Sequence, residues 1–267
     1  MHVSLYRQRS LLLCVLMVAA VAAPSPVSAE NVVAPPACRH EPLDSGTVDK
    51  ILDGRTLVLA NGREVRIADI EVPGGDAGLA ARAALGGLVA EAEVILKSPS
   101  FFDRYGRLAA HVTVMREGSE QSVAQALLAA GHALVGPNML SACAAENWSA
   151  ERAARRAKLG LWSDPYYEIM SADRAEAVVA RRGHFTLVEG KVVSVRESGV
   201  TIYVNFGRRW SEDFTVTLLK RNERSFVDAG IEPKKLEGRR VRVRGWVEEH
   251  GGPWIEALHP TQIEIVN

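Results

Sequence analysis

Over residues 45–68, apolar and polar positions alternate in short runs that break at Asp53-Gly54 and Asn61-Gly62. A period of two marks a strand with one buried face, and Asn-Gly between two such runs predicts a tight hairpin. The pattern then changes. Residues 78–92 are alanine-rich with apolar positions about 3.6 apart, which predicts a helix. Strands are expected over 93–98 and 108–115, on either side of the turn Asp103-Arg104-Tyr105-Gly106-Arg107. Helices are expected over 122–130 and 145–159. Gly131 stops the first and Gly160 the second, with Leu161-Trp162 turned back onto the core.

A connector over 163–184 is broken at Pro165 and carries a helix-forming stretch, 172–182, with Arg174, Arg181 and Arg182. Those arginines read first as a solvated face. Beyond residue 185 the period of two returns, with strands expected over 185–195, 200–206, 214–218, 240–247 and 254–265, and a helix over 222–229 after the third. Five strands with a helix in that gap match a small Greek-key barrel of the oligonucleotide/oligosaccharide-binding (OB) type. The fold class is therefore mainly β with α, as two small OB-type barrels, the first with three helices. The divisions are 1–29, 30–44 (a tether), 45–162, 163–184 and 185–267.

The first 29 residues stand apart from this plan. Arg7 and Arg9 precede an apolar run over 11–23, and Val27-Ser28-Ala29 offers small residues for cleavage. The run falls short of the ~20 residues a membrane-spanning helix needs, so it reads as an export signal. Its removal takes away two arginines and no carboxylate, leaving 30 basic residues against 32 acidic ones. No global positive field then draws in nucleic acid, and phosphate binding must come from a few placed arginines. Cys38 and Cys143 also remain. In an oxidising compartment an isolated pair reads as one disulfide, and the alternative is two buried thiols. Two distant cysteines give no metal-site spacing.

Five marks occur in order: Ile51-Leu52-Asp53-Gly54-Arg55-Thr56; Val65-Arg66-Ile67 leading to Glu71-Val72-Pro73; Asp103-Arg104-Tyr105-Gly106-Arg107-Leu108; the segment 124–131; and Ala157-Lys158-Leu159-Gly160-Leu161-Trp162. Together they resemble the staphylococcal nuclease family over about residues 45–162. The resemblance implies a five-stranded barrel with three helices and cleavage of nucleic acid with one calcium ion. The family's acids are the two aspartates of Asp-Gly-Asp-Thr and an Asp and a Glu flanking Thr-Pro; two arginines complete the site. Arg66 and Arg107 stand at the arginine positions, where a planar fork suits paired phosphate oxygens. Asp53 and Glu71 are the acids that remain as metal ligands, with the carbonyl of Val72 beside them.

Two positions depart from the family's pattern. Arg55 replaces the second aspartate, and Gly74 replaces the glutamate after the proline. Two unit charges ~4 Å apart repel by ~4 kcal/mol at an effective dielectric near 20, and a divalent ion doubles this. A millimolar calcium site has only ~4 kcal/mol to lose. The calcium site is thus expected to be closed, with the Arg55 guanidinium in the ion's place and paired to Glu71. No cofactor is expected, and calcium enters only if hydrolysis survives. Asp76, in the following Gly-Gly loop, is a substitute for the missing carboxylate. Asp53 also reads as a turn residue, and Arg66 and Arg107 as partners of Glu71 and Asp103. Stacking aromatics are not evident after Gly131, Tyr105 and Trp162 read as core, and His111 and His132 as packing or surface residues. In the second barrel, Arg208-Arg209-Trp210 combines charge with aromaticity and is the candidate ligand contact, whereas Tyr203, Phe206, Trp246 and Trp254 read first as barrel filling.

Three functions follow: a binding or scaffold protein for a phosphorylated or nucleic-acid ligand or an envelope protein partner, periplasmic or secreted; an active phosphodiesterase; or a structural envelope protein.

Overall fold

The computed structural model describes residues 41–266 except Glu91, 138–140 and Trp210. The export signal, most of the tether, Cys38 and Trp210 lie outside the described residues. In the first half the strands are β1 (Pro42–Asp53), β2 (Thr56–Leu59), β3 (Glu64–Ile67), β4 (Ile70–Glu71), β5 (Glu93–Phe102), β6 (Leu108–Arg116), β7 (Ser119–Ser122) and β8 (Leu134–Val135). The helices are α1 (Gly75–Val89), α2 (Val123–Ala129) and α3 (Ser141–Arg156). The sheet runs β3-β2-β1-β5-β6-β7, and parallel pairing of β3 with β6 closes five of these strands into a barrel. Leu57, Val65, Ile67, Val94, Leu96, Val112 and Val114 fill it, with Leu85 of α1 and Leu127 of α2 packed against them. The alternation read from the sequence is the inward face of these strands.

β1 begins at Pro42, inside the stretch expected to be a tether, because residues 42–47 pair antiparallel with β5. Glycines end the helices where backbones touch. Leu161 N–H donates to Gly131 O at 2.8 Å. A Cβ on Gly131 would sit 2.2 Å from Leu159 O.

The second half holds β9 (Met170–Ser171), α4 (Ala175–Val179), β10 (Phe185–Lys191), β11 (Ser194–Ser198), β12 (Thr201–Asn205), β13 (Thr215–Leu219), α5 (Glu223–Asp228), β14 (Arg240–Trp246), β15 (Glu248–His250), β16 (Gly252–Glu256) and β17 (Ile263–Val266). These form two sheets, β17-β14-β10-β9 and β11-β12-β13-β16-β15, around one core of Val188, Ile202, Val204, Phe214, Val216, Phe226, Val241 and Val243. Two of the five expected strands, 185–195 and 254–265, are split into pairs, β10 with β11 and β16 with β17, which carries each from one sheet to the other; β15 follows β14 beyond the expected strand 240–247. The connector is not a free link: β9 pairs in parallel with β10, and the helix expected over 172–182 is reduced to α4.

The two halves share a buried seam. Leu134, Ala154, Leu161 and Trp162 pack with Leu187 of β10. Beside them Arg244, 2% exposed, donates from Nη1 to Glu151 Oε2 at 2.8 Å and from Nη2 to Oε1 at 3.1 Å. Val135 N–H donates to the same Glu151 Oε2 at 2.6 Å, and Arg244 Nη1 reaches Val135 O at 3.3 Å. Val135 is paired with Ile70, and its neighbour Leu134 with Glu71. One carboxylate on α3 therefore ties β14 of the second half to the strand pair that carries Glu71.

Candidate functional site

Glu71 ends β4 and is buried against Arg55 and Arg66, with Arg107 lining the same cavity from a third element. Arg55 lies in the turn between β1 and β2, Arg66 on β3, and Arg107 just before β6. The Asp53 carboxylate accepts the Arg55 backbone N–H at 2.8 Å and so shapes that turn. Gly54 lets it press against α1: a Cβ there would stand 2.6 Å from Ala81 Cβ and 2.8 Å from Val72 Cγ1. Gly54→Ala is accordingly expected to cost about 1–3 kcal/mol by overpacking, seen as a lower melting temperature; an unchanged melt would contradict that contact.

From this turn Arg55 Nη1 donates to Glu71 Oε2 and, at 3.1 Å, to Ile70 O. Arg66 lies 3.7 Å from Glu71 and 3.9 Å from Asp103. Arg107 is held more closely, with Nε at 2.8 Å and Nη2 at 2.7 Å from Asp103 Oδ2. Burial would raise the Asp103 carboxyl, but Arg107 and the backbone N–H groups of Arg107 and Tyr105 hold it below the usual carboxylate range. Burial, and then the Arg55 charge, with Arg107 adding to it, lower the pKa of Arg66. The carboxylates do not offset that crowding of like charge.

The arginines line a cavity of about 430 Å³ together with Arg104, Asp69, Glu71 and Asp103, so cations exceed carboxylates by one. Asp69 is buried with its Oδ2 3.3 Å from His111 Nδ1, which puts His111 in a buried polar pair rather than at the surface. The rim differs from the sequence expectation. Tyr105 is 66% exposed, not core, and the guanidiniums of Arg104 and Arg107 lie 4.9 and 5.1 Å from its ring centre. Trp246, expected inside the second barrel, is 48% exposed and lines this cavity with Phe101. It extends from β14 on the same face as Arg244, the face that meets the first half. Trp162 is buried as expected.

Asp76 is on the exposed first turn of α1 rather than in a loop, and it does not line this cavity. Gly74 caps α1 with open space around it. Arg208 is exposed in the turn before β13, also away from the cavity. Cys143 is buried on α3.

These residues do not fit a calcium ion. Calcium takes six to eight hard oxygens, but here Glu71 and the Ile70 carbonyl accept from Arg55, and one oxygen of Asp53 accepts a backbone N–H. A guanidinium thus stands among the oxygens that would have to surround a cation.

Residues 64–164 match the family described as staphylococcal nuclease homologue. The chain carries a staphylococcal nuclease homologue domain. The match covers β3 through α3, including Arg66, Glu71 and Arg107, while Arg55 precedes it. No curated protein matches the chain. The domain supports a nuclease-like family, and a nuclease-type barrel suggests nucleic-acid binding. Among the described residues, no helix is long and apolar enough to cross a membrane.

Arg244 and Glu151 escape a sequence reading. The alternation of Val241-Arg242-Val243-Arg244 assigns the arginines to solvent, and only the packing of the two halves against each other buries one of them.

Proposed function

We propose that this is an exported binding protein that holds single-stranded nucleic acid through its phosphates at the three-arginine cavity, without calcium and without cleaving it. The convergence of Arg55, Arg66, Arg104 and Arg107 on one cavity with only three carboxylates carries this proposal, and burial and its arginine neighbours disfavour the Arg66 charge there. A phosphate oxygen placed there relieves that cost and accepts charge-assisted hydrogen bonds. The guanidinium of Arg55 supplies positive charge where the family uses a metal, so binding needs no ion. Hydrolysis needs more: a carboxylate to orient water, which Gly74 does not provide, and a Lewis acid on the phosphate. The export signal and a Cys38–Cys143 disulfide are part of the same proposal, since both suit an oxidising compartment.

The test is fluorescence anisotropy of a labelled single-stranded oligonucleotide with calcium and then with chelator. Binding should be the same in both, and the strand should remain intact. Arg66→Ala with Arg107→Ala should weaken it at least ~100-fold, because each charged hydrogen-bonding group is worth about 1.5–3 kcal/mol. Chelator-sensitive cleavage, or undiminished binding by the folded double variant, would refute the proposal.

A further inference from the structure

A second cavity, of about 570 Å³, adjoins the arginine pocket and shares Glu71 and Trp246 with it. Its other walls are residues 72–75, Asp164, Gly183 and four aromatic side chains from the connector and the start of β10: Tyr166, Tyr167, His184 and Phe185. Their rings meet edge to face. Phe185 and Trp246 have centroids 6.0 Å apart at 71°, and Tyr166 and Tyr167 5.0 Å apart at 76°. Arg181 covers one face of Tyr166, with its guanidinium carbon 3.5 Å from the ring centre. The exposed aromatics are concentrated here. Among the described residues, Phe101, Phe102, Tyr105, Tyr166 and Trp246 are the large aromatics left exposed, and all but Phe102 line one of these two cavities. Exposed apolar surface gathered in one place marks an interaction site or a ligand groove. The buried clasp of Arg244 on Glu151 holds β14, and hence Trp246, against the first barrel.

An anion pocket joined to an aromatic pocket matches a molecule with a phosphate on one side and a flat ring on the other. We propose that the aromatic cavity is a nucleobase subsite, with Trp246 the stacking platform between the base and the phosphate that the arginines hold. The subsite rests on the phosphate-binding function proposed above and adds where the unpaired bases of the strand go: onto aromatic side chains of the connector and the second half. Trp246 is 48% exposed, which leaves ring surface for a base, and stacking tolerates any base because each has a π-face.

Three probes separate this subsite from phosphate binding alone: a short oligothymidylate, an abasic phosphodiester strand of the same length, and thymidine monophosphate. The first two compare strands with and without bases, and the third shows whether a lone nucleotide suffices. Stacking is worth ~1–3 kcal/mol per base, so Trp246→Ala should weaken oligothymidylate about 5- to 150-fold more than it weakens the abasic strand. Trp246→Phe should restore part of the loss. Arg66→Ala should weaken both strands alike. Equal losses for both strands in Trp246→Ala, or no loss in either, would overturn the subsite while leaving the arginine pocket standing. Wild-type protein that binds neither strand would remove the phosphate-binding function and the subsite with it.

Discussion

Arg244→Met should lower the stability of the whole described body by about 3–5 kcal/mol, the cost of breaking a buried ion pair from one side. For a chain of this size that is a fall of about 6–20 °C in melting temperature. The carboxylate of Glu151 would stay in the seam with only the Val135 N–H and a long contact from Arg155 at 3.7 Å to meet its charge. Replacing both partners, as in Arg244→Met with Glu151→Leu, should recover much of the loss, because apolar side chains need no counter-charge. The recovery is incomplete since Val135 N–H loses its acceptor, at about 1–3 kcal/mol. Thermal unfolding by circular dichroism measures both. A shift under about 2 °C for the single variant would mean that the clasp does not hold the barrels together.

Arg55→Asp with Gly74→Glu should create a calcium site beside Glu71. The first change removes a cation from the Glu71 carboxylate and adds an acid beside it; the second adds a carboxylate at a helix cap where a Cβ meets nothing within 4 Å. Saturable calcium binding near millimolar, the weak end for extracellular sites, is expected, together with chelator-sensitive cleavage of single-stranded DNA. A folded double variant that neither binds calcium nor cleaves would show that something other than Arg55 closes the site.

Much of the first barrel was legible because local signals agree with its topology. Asp53-Gly54 and Asn61-Gly62 both mark real turns, and Gly131 and Gly160 meet backbone to backbone at the helix ends. The Arg55–Glu71 pair was legible too, since five motifs in order fix which side chains converge. The aromatic rim was not. Tyr105 lies in the charged turn Asp103-Arg104-Tyr105-Gly106-Arg107 and Trp246 at the end of an alternating strand; as large aromatics both read as core, and strand alternation alone does not reveal that they stay exposed. Arg244 failed for the opposite reason: strand alternation reports one buried face and is silent about a face buried by another domain. The misplacement of Asp76 came from reading Gly74-Gly75 as a loop, when these residues open α1.

The central claim is that the Arg55 guanidinium stands where a divalent ion would be held. Calcium titration of the wild-type protein by isothermal calorimetry tests it most directly. No saturable heat at millimolar calcium is the predicted result. Saturable binding tighter than millimolar that is lost in Glu71→Gln would contradict it.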